Sequence, residues 1–405
     1  MDSIVAQIHA LAESADEGDR LQIQIALRKT LSELQSPKDV VVDLMNSTLL
    51  CAMIRVGVDI GLFRTLAEND KPFELAKLAE ATGATPELLE RIARYLASNN
   101  TIKEVGINEY QASNITHIFS SDLGEGMVNH GFNTHGPVIQ ALPDFLAANK
   151  YQDITSNTNT PFQVAHSTKL QSFDWMVQNP EHFASLQKVM TALKGAEWTV
   201  GLDTLDIEAK KVASTPPQPS EKPFFVDVGG GHGHQCIQLG KKYPNLLGRL
   251  VLQDLPVAVN KLSPIEGVRT EAYDFFEKQP ISGSCYYPQE SSTPSSNIEP
   301  IGAKFYYLRR IMHDWPDKEA VKILLNVTGA MAPDSRILID EIVMPDIGAH
   351  WEATMQDLAM MNMCAGKERS KQQWLDLADR AGLRVEKIHT YVPSTYTSVL
   401  VLALK

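Results

Sequence analysis

The residues whose types and spacing could do chemistry lie in the second half of the chain. In VDVGGGHGHQC, Asp227, Gly229, Gly231 and Gly233 stand at alternate positions, after an apolar FFVDV run with strand character and before a helical stretch. Glycines in such a turn let the backbone bend sharply and approach a ligand without a Cβ in the way. Asp254 ends a second apolar run, 21 residues after Gly233, where a carboxylate can accept both hydroxyls of a ribose. A lone glycine cluster is equally at home in a plain structural turn. The strand before it and the acid after it point to nucleoside binding.

A second constellation is FYYLRRIMHDWPDKEAVKILLNVTGAMAPDSRILIDEIV. A strand pattern, a His-Asp-Trp turn, a period-3.6 helix and another strand place His313 at the carboxyl edge of a sheet, the edge at which open α/β sheets bind ligands. A histidine met alone is more often structural than catalytic. The four cysteines, Cys51, Cys236, Cys285 and Cys364, are far apart and show no CxxC spacing, so no metal site is expected and a reducing, cytoplasmic setting fits.

The elements that must position these residues are strands alternating with helices from Phe224 onward: FFVDV, RLVLQ, VRTEAY, KFYYL and RILID, closed by LRVEKI and TSVLVLAL. The pattern predicts a parallel sheet with helices on both faces and two further strands at its end. Between the third and fourth strands, residues 281–303 are rich in Ser and Pro and read as a long surface loop, with Tyr286 and Tyr287 as conceivable ligand covers. Residues 214–222 read as a surface linker.

The first part of the chain carries no such chemistry. Residues 1–35 read as a polar helical arm, and the apolar run from Val41 to Leu66 predicts a helix buried nearly all round, as a subunit interface would bury it. A helix-turn-helix follows, with Thr85 as N-cap, Pro86 at the first helical position and Leu88, Ile92, Tyr95 and Leu96 as its stripe; the next residues read as a small hairpin or wing. Its second helix sets Glu87 and Glu90 against Arg91 and Arg94, and the whole chain of 405 residues carries a formal charge of −12. Both argue against nucleic acid and anionic membrane as partners. No stretch approaches the roughly 20 apolar residues of a membrane span. The expected division is 1–150 and 151–405, with 151–200 as connecting helices broken near Pro180.

The DxGxGxG form, Gln253-Asp254-Leu255-Pro256 at the second strand end, the His-Asp-Trp segment and GKERSKQQW (366–374) resemble S-adenosylmethionine (SAM) dependent class I O-methyltransferases. The resemblance is to the plant caffeic acid and flavonoid type and its fungal secondary-metabolism branch, and it runs from about Leu44 to the end. It implies an α/β, Rossmann-like seven-stranded SAM domain preceded by a mostly helical, winged-helix domain that pairs subunits in a homodimer. It further implies His313 as general base, flanked by Glu341 and Glu368. Cofactor contacts would come from Asp227, Gly229, Gly231, Gly233, Asp254, Asp274 and Phe275, and from Arg309 where the plant enzymes carry lysine.

Methyl transfer from a sulfonium is an in-line displacement, so the protein must align the acceptor oxygen and make it more nucleophilic. A histidine hydrogen-bonded to a phenol can take its proton, and a carboxylate on the other ring nitrogen, here expected to be Glu341, fixes the tautomer. Phe162, Trp175, Met190, Asp314, Met360 and Met361 are candidate contacts for a small aromatic acceptor, although aromatic and Met residues serve a core equally well. Ser370 and Gln373 form a capping box and are structural. The rival reading is a protein of the same fold that keeps SAM as a bound charge and catalyses a cyclisation or rearrangement.

Overall fold

In a computed structural model, which describes residues 2–190, 195, 197–213, 222–281 and 302–405, the chain forms two compact units. One holds Met1–Pro143 with Ala165–Leu193, the other Asp144–Val164 with Lys194–Lys405. The division differs from a single boundary at 150: the helices Ser172–Gln178 and Pro180–Met190, expected to connect into the second domain, belong to the first unit. The reason is a close approach. A Cβ on Gly126, in the helix Asp122–Asn129, would meet Lys188 Cβ at 2.4 Å, and Lys188 Nζ donates to Glu125 at 3.0 Å.

In the first unit, the single arm expected over 1–35 is two helices, Asp2–Ser14 and Glu17–Leu34; Asp16 caps the second by accepting from Asp19 N at 2.9 Å. The helix Pro37–Asp59 follows, opened by a reciprocal Ser36/Asp39 capping box. It is not buried all round within one chain, since Val40, Val41, Val42, Leu44, Met45 and Leu49 are at least half exposed. By length and mean hydropathy this helix would also suffice to cross a membrane, contrary to the expectation that no stretch comes close. Helices Leu75–Thr82 and Pro86–Ser98 form the helix-turn-helix, and β1 (Phe73–Glu74), β2 (Ile102–Gly106) and β3 (Glu109–Ala112) form a wing in the order β1-β3-β2. The buried stripe is Leu89, Ile92, Ala93 and Leu96, an i, i+3, i+4, i+7 set, whereas Leu88 faces out. Thr85 does occupy the N-cap, but its side chain makes no capping hydrogen bond.

The second unit holds β4 (Phe225–Val228), β5 (Leu250–Asp254), β6 (Val268–Ala272), β7 (Phe305–Arg309), β8 (Arg336–Met344), β9 (Arg369–Ser370), β10 (Leu383–Val392) and β11 (Thr397–Leu404). Their order is β10-β11-β8-β7-β4-β5-β6, with β9 beside β8. Strands β4 to β8 run parallel to one another, as the sequence pattern predicts; the two closing strands, whose direction the pattern leaves open, are antiparallel, β11 pairing with both β8 and β10. Side chains on the two faces fill separate cores: Val226, Tyr306, Leu308 and Ile339 on one, Phe225, Leu252, Tyr307 and Leu338 on the other. With both faces covered, what the central strands leave accessible is their ends. The expected loop at 281–303, including Tyr286 and Tyr287, and the linker at 214–222 lie outside the described residues except at their edges.

Candidate active site

The glycine turn joins β4 to the helix His234–Lys242, and Gly229, Gly231 and Gly233 all take left-handed φ of 73°, 56° and 74°. Such backbone is strained for any residue with a Cβ. Gly230 is constrained differently: a Cβ there would meet the Leu252 side chain at 2.3 Å and the Asp227 carboxyl at 2.6 Å. Around Gly231 a Cβ would meet nothing within 4 Å, so the turn presents open space at its crest.

Asp254, at the end of β5, accepts from Gly231 N at 2.8 Å and Leu255 N at 2.7 Å. It therefore ties the glycine turn to the end of the adjacent strand. Burial pushes its carboxyl upward, opposed by those two amides. Asp227 is buried at the end of β4; burial and the neighbouring Asp254 push it up to about 7 against the pull of Arg309. Phe275 approaches the same turn, its ring 3.9 Å from where a Gly229 Cβ would be, while exposed Asp274 accepts from Phe276 N at 2.9 Å. The sequence-predicted cofactor residues thus gather at the carboxyl ends of β4, β5 and β6. Arg309 is more committed to the protein than expected: it pairs with Asp340 at 3.5 Å and donates to Gly195 O at 3.2 Å.

Beyond β7, Arg310 adopts φ 53° and the chain turns through Met312–Asp314. Three elements hold this turn. Glu341, on β8, accepts from Met312 N at 2.8 Å and His313 N at 3.3 Å. Arg369, on β9 and fully buried, donates to Met312 O at 2.8 Å, Trp315 O at 2.9 Å and Asp317 Oδ1 at 3.0 Å. Lys367 N donates to His313 O at 2.9 Å, an approach that requires Gly366, whose Cβ would lie 1.9 Å from that oxygen.

The imidazole this turn presents is buried, with Nδ1 2.7 Å from Glu368 Oε1 and 3.7 Å from Glu341 Oε2, and Nε2 3.7 Å from Asp314 Oδ1. The carboxylate bonded to the ring is therefore Glu368 and not Glu341, whose Oε1 accepts the two backbone amides and whose Oε2 stops 3.7 Å from Nδ1. Glu368 is itself set by its own N–H, which donates to Asp357 Oδ1 at 2.8 Å, and by Arg310 at 3.8 Å. Burial alone would pull His313 down; Glu341, Asp314 and Glu368 outweigh it and push the ring up to about 9. Burial raises Asp314 to about 6 and Glu341 to about 7.

His313, Glu341 and Glu368 also place ligand-type atoms within 4.8 Å of one another, a cluster that local spacing did not announce. The 2.7 Å between Nδ1 and Glu368 is a hydrogen-bond length, shorter than the roughly 3.3 Å that separates two ligands about 2.0 Å from one tetrahedral ion. Proton sharing describes this cluster better than ion binding.

The six candidate acceptor contacts divide between the two units. Asp314 flanks His313, and Met361 packs with Phe145, Ile154 and Ala365. Met360 gives its carbonyl to Cys364 Sγ at 3.1 Å and Gly366 N at 3.2 Å. Phe162 is fully buried in the second unit, while Trp175 and the partly exposed Met190 belong to the first. Sequence reasoning missed Arg310, Asp357, Gly366 and Arg369 as supports of His313. Two of these stood in the quoted GKER segment, but which backbone they meet is a tertiary fact.

Residues 295–384 match the O-methyltransferase domain family and residues 42–121 the O-methyltransferase dimerisation domain family. The demethylsterigmatocystin 6-O-methyltransferase of Aspergillus flavus is 39% identical over 405 residues, covering 100% of this chain and 98% of that protein. The O-methyltransferase lepI of the same organism is 36% identical, covering 100% and 99%. The solved structure of LepI in complex with SAM aligns with a TM-score of 0.86 at 34% identity over 100% of this chain and 98% of that one. A structure described as a pericyclic reaction enzyme aligns equally well, with a TM-score of 0.86 at 34% identity over 100% and 99%.

Proposed function

This chain belongs to the O-methyltransferase family, and from that membership we propose that it methylates a hydroxyl, phenolic in class, of a small secondary metabolite, with His313 as general base. The observation that carries the reading is the His313–Glu368 contact of 2.7 Å. A carboxylate accepting from Nδ1–H leaves the lone pair of the neutral ring on Nε2, the nitrogen that an acceptor hydroxyl would meet. SAM, when bound, supplies an electrophilic methyl carbon. The open crest at Gly231, buried Asp227 and half-buried Asp254 fit its nucleoside half, with Asp254 able to accept from ribose hydroxyls.

The roles divide accordingly. His313 Nε2 takes the hydroxyl proton as the oxygen gains the methyl group, and Glu368 stabilises the imidazolium that forms. Glu341 and Arg369 keep the turn in register, which fixes where Nε2 stands. A ring whose conjugate acid titrates near 9 lies close to a phenol at about 10, so the proton transfer is nearly balanced. Pairing through the first unit, within residues 42–121, accounts for the exposed apolar residues of the helix Pro37–Asp59.

A second reading stands because of LepI: SAM retained and a pericyclic rearrangement catalysed instead. The two part in one experiment. Pure protein is incubated with SAM and a panel of phenols, and products are followed by mass spectrometry for the gain of one methyl group together with S-adenosylhomocysteine. A gain that disappears in His313→Gln supports methyl transfer; SAM bound but never consumed across the panel favours the rearrangement.

A further inference from the structure

The first unit carries a histidine cluster that the proposed methyl transfer does not use. His130–His135 is a π-helical turn inserted between the helices Asp122–Asn129 and Gly136–Ala148. In an α-helix residues five apart diverge around the axis; a π turn, with its i→i+5 bonding, stacks them on one face, and such turns frequently mark functional sites. Here the turn sets His130 Nε2 3.2 Å from His135 Nε2, with the ring centres 4.8 Å apart and the planes at 77°.

The surroundings fix this arrangement. Thr134, inside the turn, has Oγ1 2.8 Å from His182 Nδ1 and its carbonyl oxygen 3.0 Å from His166 Nε2. Trp175 packs against both of those rings, at 4.3 Å from His166 and 4.7 Å from His182. His130 and Thr134 are buried, so the turn is gripped from both sides and its two facing nitrogens are held before any ligand arrives.

We propose that His130 and His135 chelate one divalent first-row transition ion, of which zinc is the representative, through their Nε2 atoms. An ion about 2.0–2.1 Å from each nitrogen, with each nitrogen about 1.1 Å from its ring centre, gives the observed 3.2 Å at an angle near 100° and places the centres about 5 Å apart. Without an ion the same 3.2 Å contact is a bent N–H···N hydrogen bond from one ring to the other, so an ion would take the place of a proton between two nitrogens that already face each other. Imidazole nitrogen suits copper, nickel and zinc over magnesium or calcium. Two protein ligands leave the other positions to water or to an oxygen of a small molecule.

The test uses the full-length protein, stripped with a chelator and dialysed against zinc alone, as wild type and as His130→Gln, His135→Gln and His313→Gln. Wild type and His313→Gln should bind one ion alike, and each of the other two at least tenfold more weakly while keeping helical content and SAM binding. Equal zinc binding by all four, or a loss confined to His313→Gln, would overturn the proposal. A readout that needs no variant is electron paramagnetic resonance of the copper-loaded wild type. Coupling to two imidazole nitrogens supports the chelate; coupling to none or to one refutes it.

Discussion

Nδ1 of His313 lies 2.7 Å from Oε1 of Glu368, although the two residues are 55 positions apart and on different elements. Glu341 comes no nearer to that ring than 3.7 Å, because its Oε1 accepts the amides of Met312 and His313. Two buried carboxylates around one imidazole therefore do different work: one orients the ring, the other holds the backbone that carries it.

Removing the base should separate chemistry from binding. His313→Gln is expected to lower methyl transfer by about 10² or more, the usual size of a lost general base, while SAM affinity measured by calorimetry stays nearly unchanged. Turnover equal to wild type would remove His313 from the mechanism.

The two glutamates should fail differently. Glu368→Gln leaves the turn intact and should cut kcat by tenfold or more with little change in Tm. Glu341→Ala strips the acceptor from two buried amides and should cost about 2–4 kcal/mol of stability, read as a fall in Tm. The opposite pattern would reassign the two roles.

The pH profile follows from the sign of the His313 shift. Three carboxylates hold the ring protonated up to about 9, so the neutral, proton-accepting form grows as pH rises and kcat/KM should climb from pH 7 toward a plateau above 9. The same shift is a stability statement. A histidine raised in the folded state stabilises fully below its unfolded value of about 6.5 and loses that contribution as pH passes through about 9. Wild type should therefore lose Tm relative to His313→Gln over that interval, and parallel curves would contradict the shift.

Gly366→Ala tests the approach of the GKER segment to the His313 turn. Its Cβ would stand 1.9 Å from His313 O, a clash with backbone that no rotamer relieves. Activity should be nearly abolished, whereas Gly348→Ala, where a Cβ meets nothing within 4 Å, should cost only the strain of its φ of 73°.

Asp254→Ala should weaken SAM binding at least tenfold, since on the proposed reading the carboxylate accepts from the ribose and it also bonds Gly231 N. Unchanged affinity by calorimetry would place the ribose elsewhere.

Much of this was legible along the chain because it is periodic or local. Alternating strands and helices gave the parallel sheet, and the glycine run gave the tight turn from β4 into the next helix, since both need only neighbours within a strand-turn-helix unit. The wing hairpin and the Ser370/Gln373 capping box were readable for the same reason. Tertiary structure decided the rest. Leu88 and Leu89 fit the helical period almost equally well, and only the assembled core that also holds Leu62, Phe63 and Leu78 takes in Leu89. The join of 165–193 to the first unit depends on Gly126 admitting Lys188. Most of all, which glutamate bonds His313 could not be read from spacing. Glu341 and Glu368 are both acids that the sheet brings to one edge, and the choice between ring and backbone is set by approaches of 3.7 and 2.7 Å that arise only when β7, β8 and β9 are assembled.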